Sequence, residues 1–309
     1  MLLNVNLKNF PSFQIVCVIV VVLIVLGLFF GEFARWVFKW SKDKDPAEGE
    51  FFRGYQIDNP EIWRYKFCKS KGRNQSPINV KPECSMVVPC GTQKPLLFNQ
   101  QYFNMPKSIT IMNDGYGVLV GTCFTDEFPT VSGGPLKSSY RFNVAQFKWG
   151  PTDEEGSEHT INSKRYAMEL QLMHIKGEQI YENLDCAVRD RAVLFISYLF
   201  DVTPLDNPYL APIVDVLPFI RCANSSYHLN PFPLCWMFHP FRTRYFFYQG
   251  SITCPPCTEG VDWIIQPEPL SISSNQLQRF RSLMAIDGAM RRNTRPVQKI
   301  NSRTVYYYD

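Results

Sequence analysis

Histidine is scarce in this chain. His159, His174, His228 and His239 are the only four in 309 residues, and none pairs with another at a metal-ligand spacing. No set of three histidines is there to build a metal centre. There is also no glycine-rich phosphate loop, no recognised nucleic-acid motif and no dense basic stripe; the net charge is only +4. These absences leave nucleotide chemistry and nucleic-acid binding without support. No motif joins a nucleophile to a base and an orienting group. No long helical period and no internal repeat run through the chain, which argues against a helical bundle or a solenoid.

What is present suits a β-rich globule. Residues 118–120 and 192–200 are short apolar, β-favouring runs bounded by turn residues. Proline is frequent (23) and glycine moderate (17), a combination that fits strands joined by long irregular loops. Apolar residues at 45% and aromatics at 15% agree with a well-packed core rather than a disordered chain.

The N-terminal part differs. Residues 15–30 are an uncharged apolar run. A helix of that length covers about 24 Å, slightly short of a hydrocarbon core of about 30 Å. Phe13, Gln14 and Gly31 extend it. The run is long for a signal-peptide core and lacks an obvious small-x-small cleavage site, so it reads as an uncleaved anchor, with a cleaved signal as the alternative. The expected organisation is a short tail (1–12), a transmembrane helix or signal anchor (13–31), a juxtamembrane linker (32–53) and one folded domain (54–309). Lys8 precedes the run, whereas Arg35, Lys39, Lys42 and Lys44 follow it, a bias that would put the domain in the cytosol.

There are ten cysteines. The only Cys-x-x-Cys arrangement is Cys254-Pro255-Pro256-Cys257, and its Pro-Pro centre argues against a redox or zinc role. Cys84 with Cys90, and Cys222 with Cys235, are candidates for local bridges, which spacing cannot assign. Asn224-Ser225-Ser226 is a sequon, making Asn224 a candidate glycosylation site.

Several motifs occur in a recognisable order: Asn74-Gln75-Ser76-Pro77-Ile78, Gly133-Gly134-Pro135-Leu136, Tyr140-Arg141, Phe147-Lys148-Trp149-Gly150, Gly156-Ser157-Glu158-His159-Thr160, Tyr166-Ala167-Met168-Glu169-Leu170, Gly250-Ser251-Ile252-Thr253-Cys254-Pro255-Pro256-Cys257 and Asn293-Thr294-Arg295-Pro296-Val297-Gln298. Through them the chain resembles an α-type carbonic anhydrase over roughly residues 54 to 305. The resemblance implies a mainly β (α+β) fold: one domain on a large, mostly antiparallel central sheet with few short helices. About 255 residues are ample for one such core.

Members of that family hold zinc with three neutral imidazoles and an open fourth position, where the ion lowers the pKa of a bound water. Two ligands sit at i and i+2 of one strand, on a common face; the third comes from a neighbouring strand. By resemblance those positions here are Gln146, Lys148 and Gln171. Glutamine is a poor zinc ligand, and an ammonium has no lone pair. His174, three residues beyond Gln171, is expected on the opposite face as a structural residue. Other parts of the apparatus match in outline. Thr253 corresponds to the hydroxyl that would orient a zinc-bound hydroxide, Glu158 to the carboxylate that accepts from it, and Tyr116 to a proton-shuttling histidine. The expectation is a vestigial pocket without zinc or any other cofactor, in which the Lys148 ammonium replaces the cation's charge, paired with Glu169 or with Glu158. Secreted and membrane-bound family members join the positions of Cys68 and Cys257 by a disulfide, implying an oxidising, extracellular or lumenal compartment. A mitochondrial inner membrane facing the intermembrane space is the alternative.

The expected function is therefore that of a non-catalytic, membrane-anchored binding or structural module. Its partners are the membrane, through residues 13–31, and an unidentified protein. The alternatives are a structural subunit of a large membrane complex and an anionic-glycan-binding surface; an active carbonate dehydratase comes last.

Overall fold

A computed structural model describes residues 72–309 apart from Asp126, Glu178 and Asp287. The expected tail, anchor and juxtamembrane linker, and Cys68, lie outside the described residues. Among the described residues no helix is long and apolar enough to cross a membrane.

A sheet of twelve strands dominates. In chain order these are β1 (Met86–Val88), β2 (Leu97–Phe98), β3 (Ser108–Asn113), β4 (Val118–Cys123), β5 (Thr130–Ser132), β6 (Tyr140–Trp149), β7 (Met168–Lys176), β8 (Val193–Thr203), β9 (Ser225–Leu229), β10 (Tyr245–Ser251), β11 (Glu259–Ser273) and β12 (Tyr306–Tyr308). The spatial order is β9-β3-β4-β6-β7-β8-β11-β10-β12-β1, with β5 also on β6 and β2 on β5. The apolar runs at 118–120 and 192–200 fall in β4 and β8. The sheet is mixed: β8 runs parallel to β11 and β12 parallel to β1, while the remaining ladders are antiparallel. Helices are short: α1 (Leu184–Arg189), α2 (Ala211–Val214) and α3 (Ser274–Arg281). Ser273, the last residue of β11, starts α3 through a reciprocal capping box with Gln276.

The central strands are covered on both sides, so their sequences are apolar almost throughout. In β7 every residue from Met168 to Ile175 is buried. One face carries a cluster including Met173, Phe195, Leu199, Val261 and Trp263, with Phe195 stacked on Trp263 at 4.8 Å between centroids. The other face carries His174, whose ring packs against Tyr102 and Phe142.

A small three-stranded sheet positions the site. Asn79–Val80 pairs in parallel with Thr160–Ile161, which pairs with Lys164–Arg165. The chain just before Thr160 is pressed onto the start of β7. The amides of Gly156 and Ser157 donate to the Tyr166 carbonyl at 2.9 and 2.8 Å, and a Cβ at Gly156 would overlap the Ala167 carbonyl. Only glycine allows this approach, and it delivers Glu158 and His159 over the face of β7 that carries Glu169 and Gln171.

The two local bridges considered from spacing do not form: Cys84, Cys90, Cys222 and Cys235 are all unbridged thiols. Cys84 ends a short 3-10 turn before β1, and Cys90 lies beyond it. β9 lies between Cys222 and Cys235 in the chain.

Candidate functional site

Strand alternation puts Gln146 and Lys148 of β6 on one face, and the antiparallel register sets Gln146 opposite Gln171 and Lys148 opposite Glu169 of β7. The three positions read from sequence are thus neighbours.

Their side chains form a closed hydrogen-bond network. Gln171 Nε2 donates to Glu158 Oε2 at 2.7 Å and to Glu169 Oε1 at 2.8 Å. Ionised carboxylates only accept, which fixes the orientation of the amide and turns its oxygen toward Gln146. Gln146 Nε2 donates to that oxygen at 2.7 Å.

Glu169 is fully buried and heavily satisfied. The backbone amides of Glu158 and His159 both donate to its Oε2 at 2.8 Å, and Ser197 Oγ donates to Oε1 at 2.8 Å. His159 Nδ1 lies 2.8 Å from the same Oε1 and carries the hydrogen, since the carboxylate has none to give. Burial pushes the Glu169 carboxyl up, but the His159 imidazole beside it and the donated hydrogen bonds outweigh that and hold it below the usual carboxylate range. The network continues from His159 Nε2 to Tyr248 Oη at 2.7 Å and from there to Ser76 Oγ at 2.8 Å. Burial keeps the Tyr248 phenol protonated by pushing its pKa far up.

Lys148 does not pair with Glu169, one of its two expected partners. Its ammonium lies 3.9 Å from Glu158 Oε1, its only ion pair among the described residues. Glu169 has its acceptor sites filled by β7, β8 and the 158–159 backbone, whereas among the described residues Glu158 Oε1 accepts only the Arg295 amide, at 2.9 Å, besides facing Lys148. The side chain of Lys148 is 10% exposed, so it is not a lysine that snorkels freely to water.

Thr253 is buried, but makes no hydrogen bond to Glu158, whose oxygens are taken by Gln171 and Arg295. Tyr116 sits half-buried in the β3–β4 turn, where its amide donates to Asp114 Oδ1 at 2.8 Å. His174 is on the opposite face from Gln171: its Nδ1 donates to the Leu172 carbonyl at 3.0 Å, and its Nε2 lies 2.6 Å from Tyr102 Oη. Cys257 is buried and disulfide-bonded. Asn224 is exposed with φ 62°, immediately before edge strand β9.

Sequence reasoning overlooked Tyr248, Ser197 and Gln75. Arg295 is almost wholly buried, its guanidinium donating to the Ser76 carbonyl at 2.7 Å and to Gln75 Oε1 at 2.9 Å. Alternation along β10 offered the one available signal, because Tyr248 shares a strand face with Gly250 of the recognised loop.

Residues 58–309 match the eukaryotic-type carbonic anhydrase family. The chain belongs to that family. It is 32% identical to carbonic anhydrase 7 of Mus musculus, over 82% of this chain and 95% of that protein. It is 32% identical to the mitochondrial carbonic anhydrase 5A of Homo sapiens, over 88% of this chain and 90% of that protein. The human mitochondrial carbonic anhydrase 5B is 33% identical, over 79% of this chain and 76% of its own length.

The residues at the three ligand positions do not fit the family's zinc. The single Lewis-basic atom of the Gln171 side chain is engaged by Gln146, its nitrogen faces two carboxylates, and Lys148 presents a cation. Among the described residues no group of three or more His, Cys, Asp or Glu side chains is arranged to hold a metal.

Proposed function

We propose that this chain is a non-catalytic member of the carbonic anhydrase family that serves as a membrane-anchored binding or structural module. The observation that carries the reading is the bond from Gln146 to Gln171, together with the two carboxylates accepting from Gln171 Nε2. Amide donors and an ammonium satisfy the carboxylates that would otherwise surround a cation. Without a bound dication there is no means of lowering the pKa of water to near neutrality. The relatives named above are carbonic anhydrases, so the reading is that this chain keeps their frame with a different set of groups in the pocket.

The anchor is residues 13–31, and the disulfide at Cys257 favours an oxidising compartment. The mitochondrial names of two relatives support a mitochondrial membrane with the domain in the intermembrane space as the second location.

The test is zinc content by mass spectrometry, together with carbon dioxide hydration, on the full chain purified from its native membrane. The expected result is zinc far below one ion per chain and hydration at the uncatalysed rate. Stoichiometric zinc with turnover would overturn the proposal.

A further inference from the structure

β1 is the last strand of the large sheet, and among the described residues it pairs only with β12. Met86 and Val87 point to opposite faces of that strand, yet they are 56% and 58% exposed, so neither face of the strand is covered there. The ladder to β12 is parallel. The Met86 amide donates to the Val305 carbonyl at 2.8 Å, and the Val88 carbonyl accepts from the Asp309 amide at 3.2 Å. Backbone groups alternate between the two edges of a strand, so the N–H and C=O of Val87 point to the open edge. An open apolar edge is a template for another strand.

Two thiols flank this edge symmetrically. Cys84 and Cys90 each stand three residues from Val87, and both are exposed and unbridged. A second copy of this chain, related by a two-fold axis at Val87, would run antiparallel to the first and present the same edge. In that register Val87 meets Val87, Cys84 meets Cys90 of the second copy, and Cys90 meets its Cys84. Among antiparallel registers only this one engages all four thiols.

The hydrogen-bond pattern agrees. The two Val87 residues, with their N–H and C=O turned outward, form a hydrogen-bonded pair. Paired and unpaired levels alternate, so the level three residues away is a non-hydrogen-bonded one, where Cα atoms of a regular ladder are about 4.5 Å apart and within disulfide range. Cys84 closes the 3-10 turn ahead of β1 and Cys90 lies in the turn beyond Pro89, so the thiols flank the pairing without interrupting it.

The ladder is also self-limiting. The Ser85 N–H is bonded to the Pro82 carbonyl at 3.1 Å, and Pro89 has no N–H, so neither donates across the edge. Hydrogen bonds at Val87 alone are too few to offset the rigid-body freedom lost on association. A covalent link supplies what the ladder does not.

We propose that β1 is the seam of a homodimer of this chain in which Cys84 of each copy is disulfide-bonded to Cys90 of the other. Each bond forms as two thiols give two protons and two electrons to a disulfide oxidant such as oxidised glutathione, which is reduced to two thiols. The disulfide at Cys257 shows that this domain tolerates oxidation.

The test uses the full chain in detergent, equilibrated with oxidised and reduced glutathione, quenched with N-ethylmaleimide and run on non-reducing gels. The expected result is a band at twice the mass of the chain that dithiothreitol abolishes and in which peptide mapping joins Cys84 to Cys90. Cys84→Ser alone and Cys90→Ser alone should each lose that band. An equal mixture of the two variants should regain it, because one supplies Cys90 and the other Cys84. Both positions are exposed, and an unchanged urea midpoint checks that the variants fold. Val87→Pro removes the outward N–H and leaves the Met86 amide on β12, so it should deplete the band with every cysteine in place. An equally strong dimer in either single cysteine variant overturns the proposal, as does a mixture that stays monomeric. Bridging of Cys84 to Cys90 within one chain also overturns it, and an undiminished dimer in Val87→Pro overturns the strand pairing.

Discussion

Gln146 and Gln171 stand directly opposite one another on β6 and β7, and Gln146 Nε2 donates to Gln171 Oε1 at 2.7 Å. That contact commits both ends of the Gln171 amide: the oxygen to its neighbour, the nitrogen to Glu158 and Glu169. An amide at this position supplies both an acceptor for Gln146 and donors for the two carboxylates.

Gln171→Glu replaces the donor shared by two carboxylates with a third carboxylate. The loss of stability at pH 7 should be about 3 kcal/mol or more, on the scale of an unpaired buried charge. Gln171→Met, which only removes the hydrogen bonds, should cost less. Urea denaturation of the two variants checks the order; equal losses would mean that Glu158 and Glu169 do not both face this residue as ions.

Restoring imidazoles should restore metal affinity. The triple variant Gln146→His, Lys148→His, Gln171→His is expected to hold about one zinc per chain after dialysis, because Glu169 is already placed to orient an imidazole at position 171. Gln171→His alone should hold none, since Lys148 remains a cation beside it. A zinc-free triple variant would show that the frame around the three positions is no longer suited to the ion.

Lys148→Met should destabilise the domain by about 2 kcal/mol, less than the 3–5 kcal/mol typical of a broken buried pair. The reason for the discount is the 3.9 Å separation and the two other donors to Glu158. An unchanged urea midpoint would mean the ammonium contributes nothing to the fold.

His174 makes stability depend on pH. Burial lowers its pKa from 6.5 to about 3. The folded protein therefore keeps it neutral where the unfolded chain takes up a proton. Between those two values the unfolded state binds more protons, so stability is full above 6.5 and falls as the pH drops toward 3. The slope from this one group is about 1.4 kcal/mol per pH unit. His174→Gln should remove about one proton from the linkage over that window, measured as unfolding free energy against pH. An unchanged slope would assign the linkage to other groups.

Much of this was legible from residues alone. The apolar runs marked β4 and β8, the spaced motifs marked the family, and alternation put Gln146 and Lys148 on one face and His174 away from Gln171. The parallel β8–β11 pairing was not legible, because no local pattern distinguishes which long-range neighbour a buried strand will take. Cysteine spacing likewise suggested two bridges that the structure does not contain.

The sequence by itself determined which groups occupy the three positions, because residue identity and strand period need no partner to be read. Only the tertiary structure decided what those groups bond to. Glu158 arrives from a loop held by the close passage of Gly156 over Ala167, Arg295 reaches it from near the end of the chain, and Glu169 is saturated by His159 and Ser197. A strand's period fixes the direction of each side chain, but the choice between two carboxylates for one ammonium depends on distances set by loops.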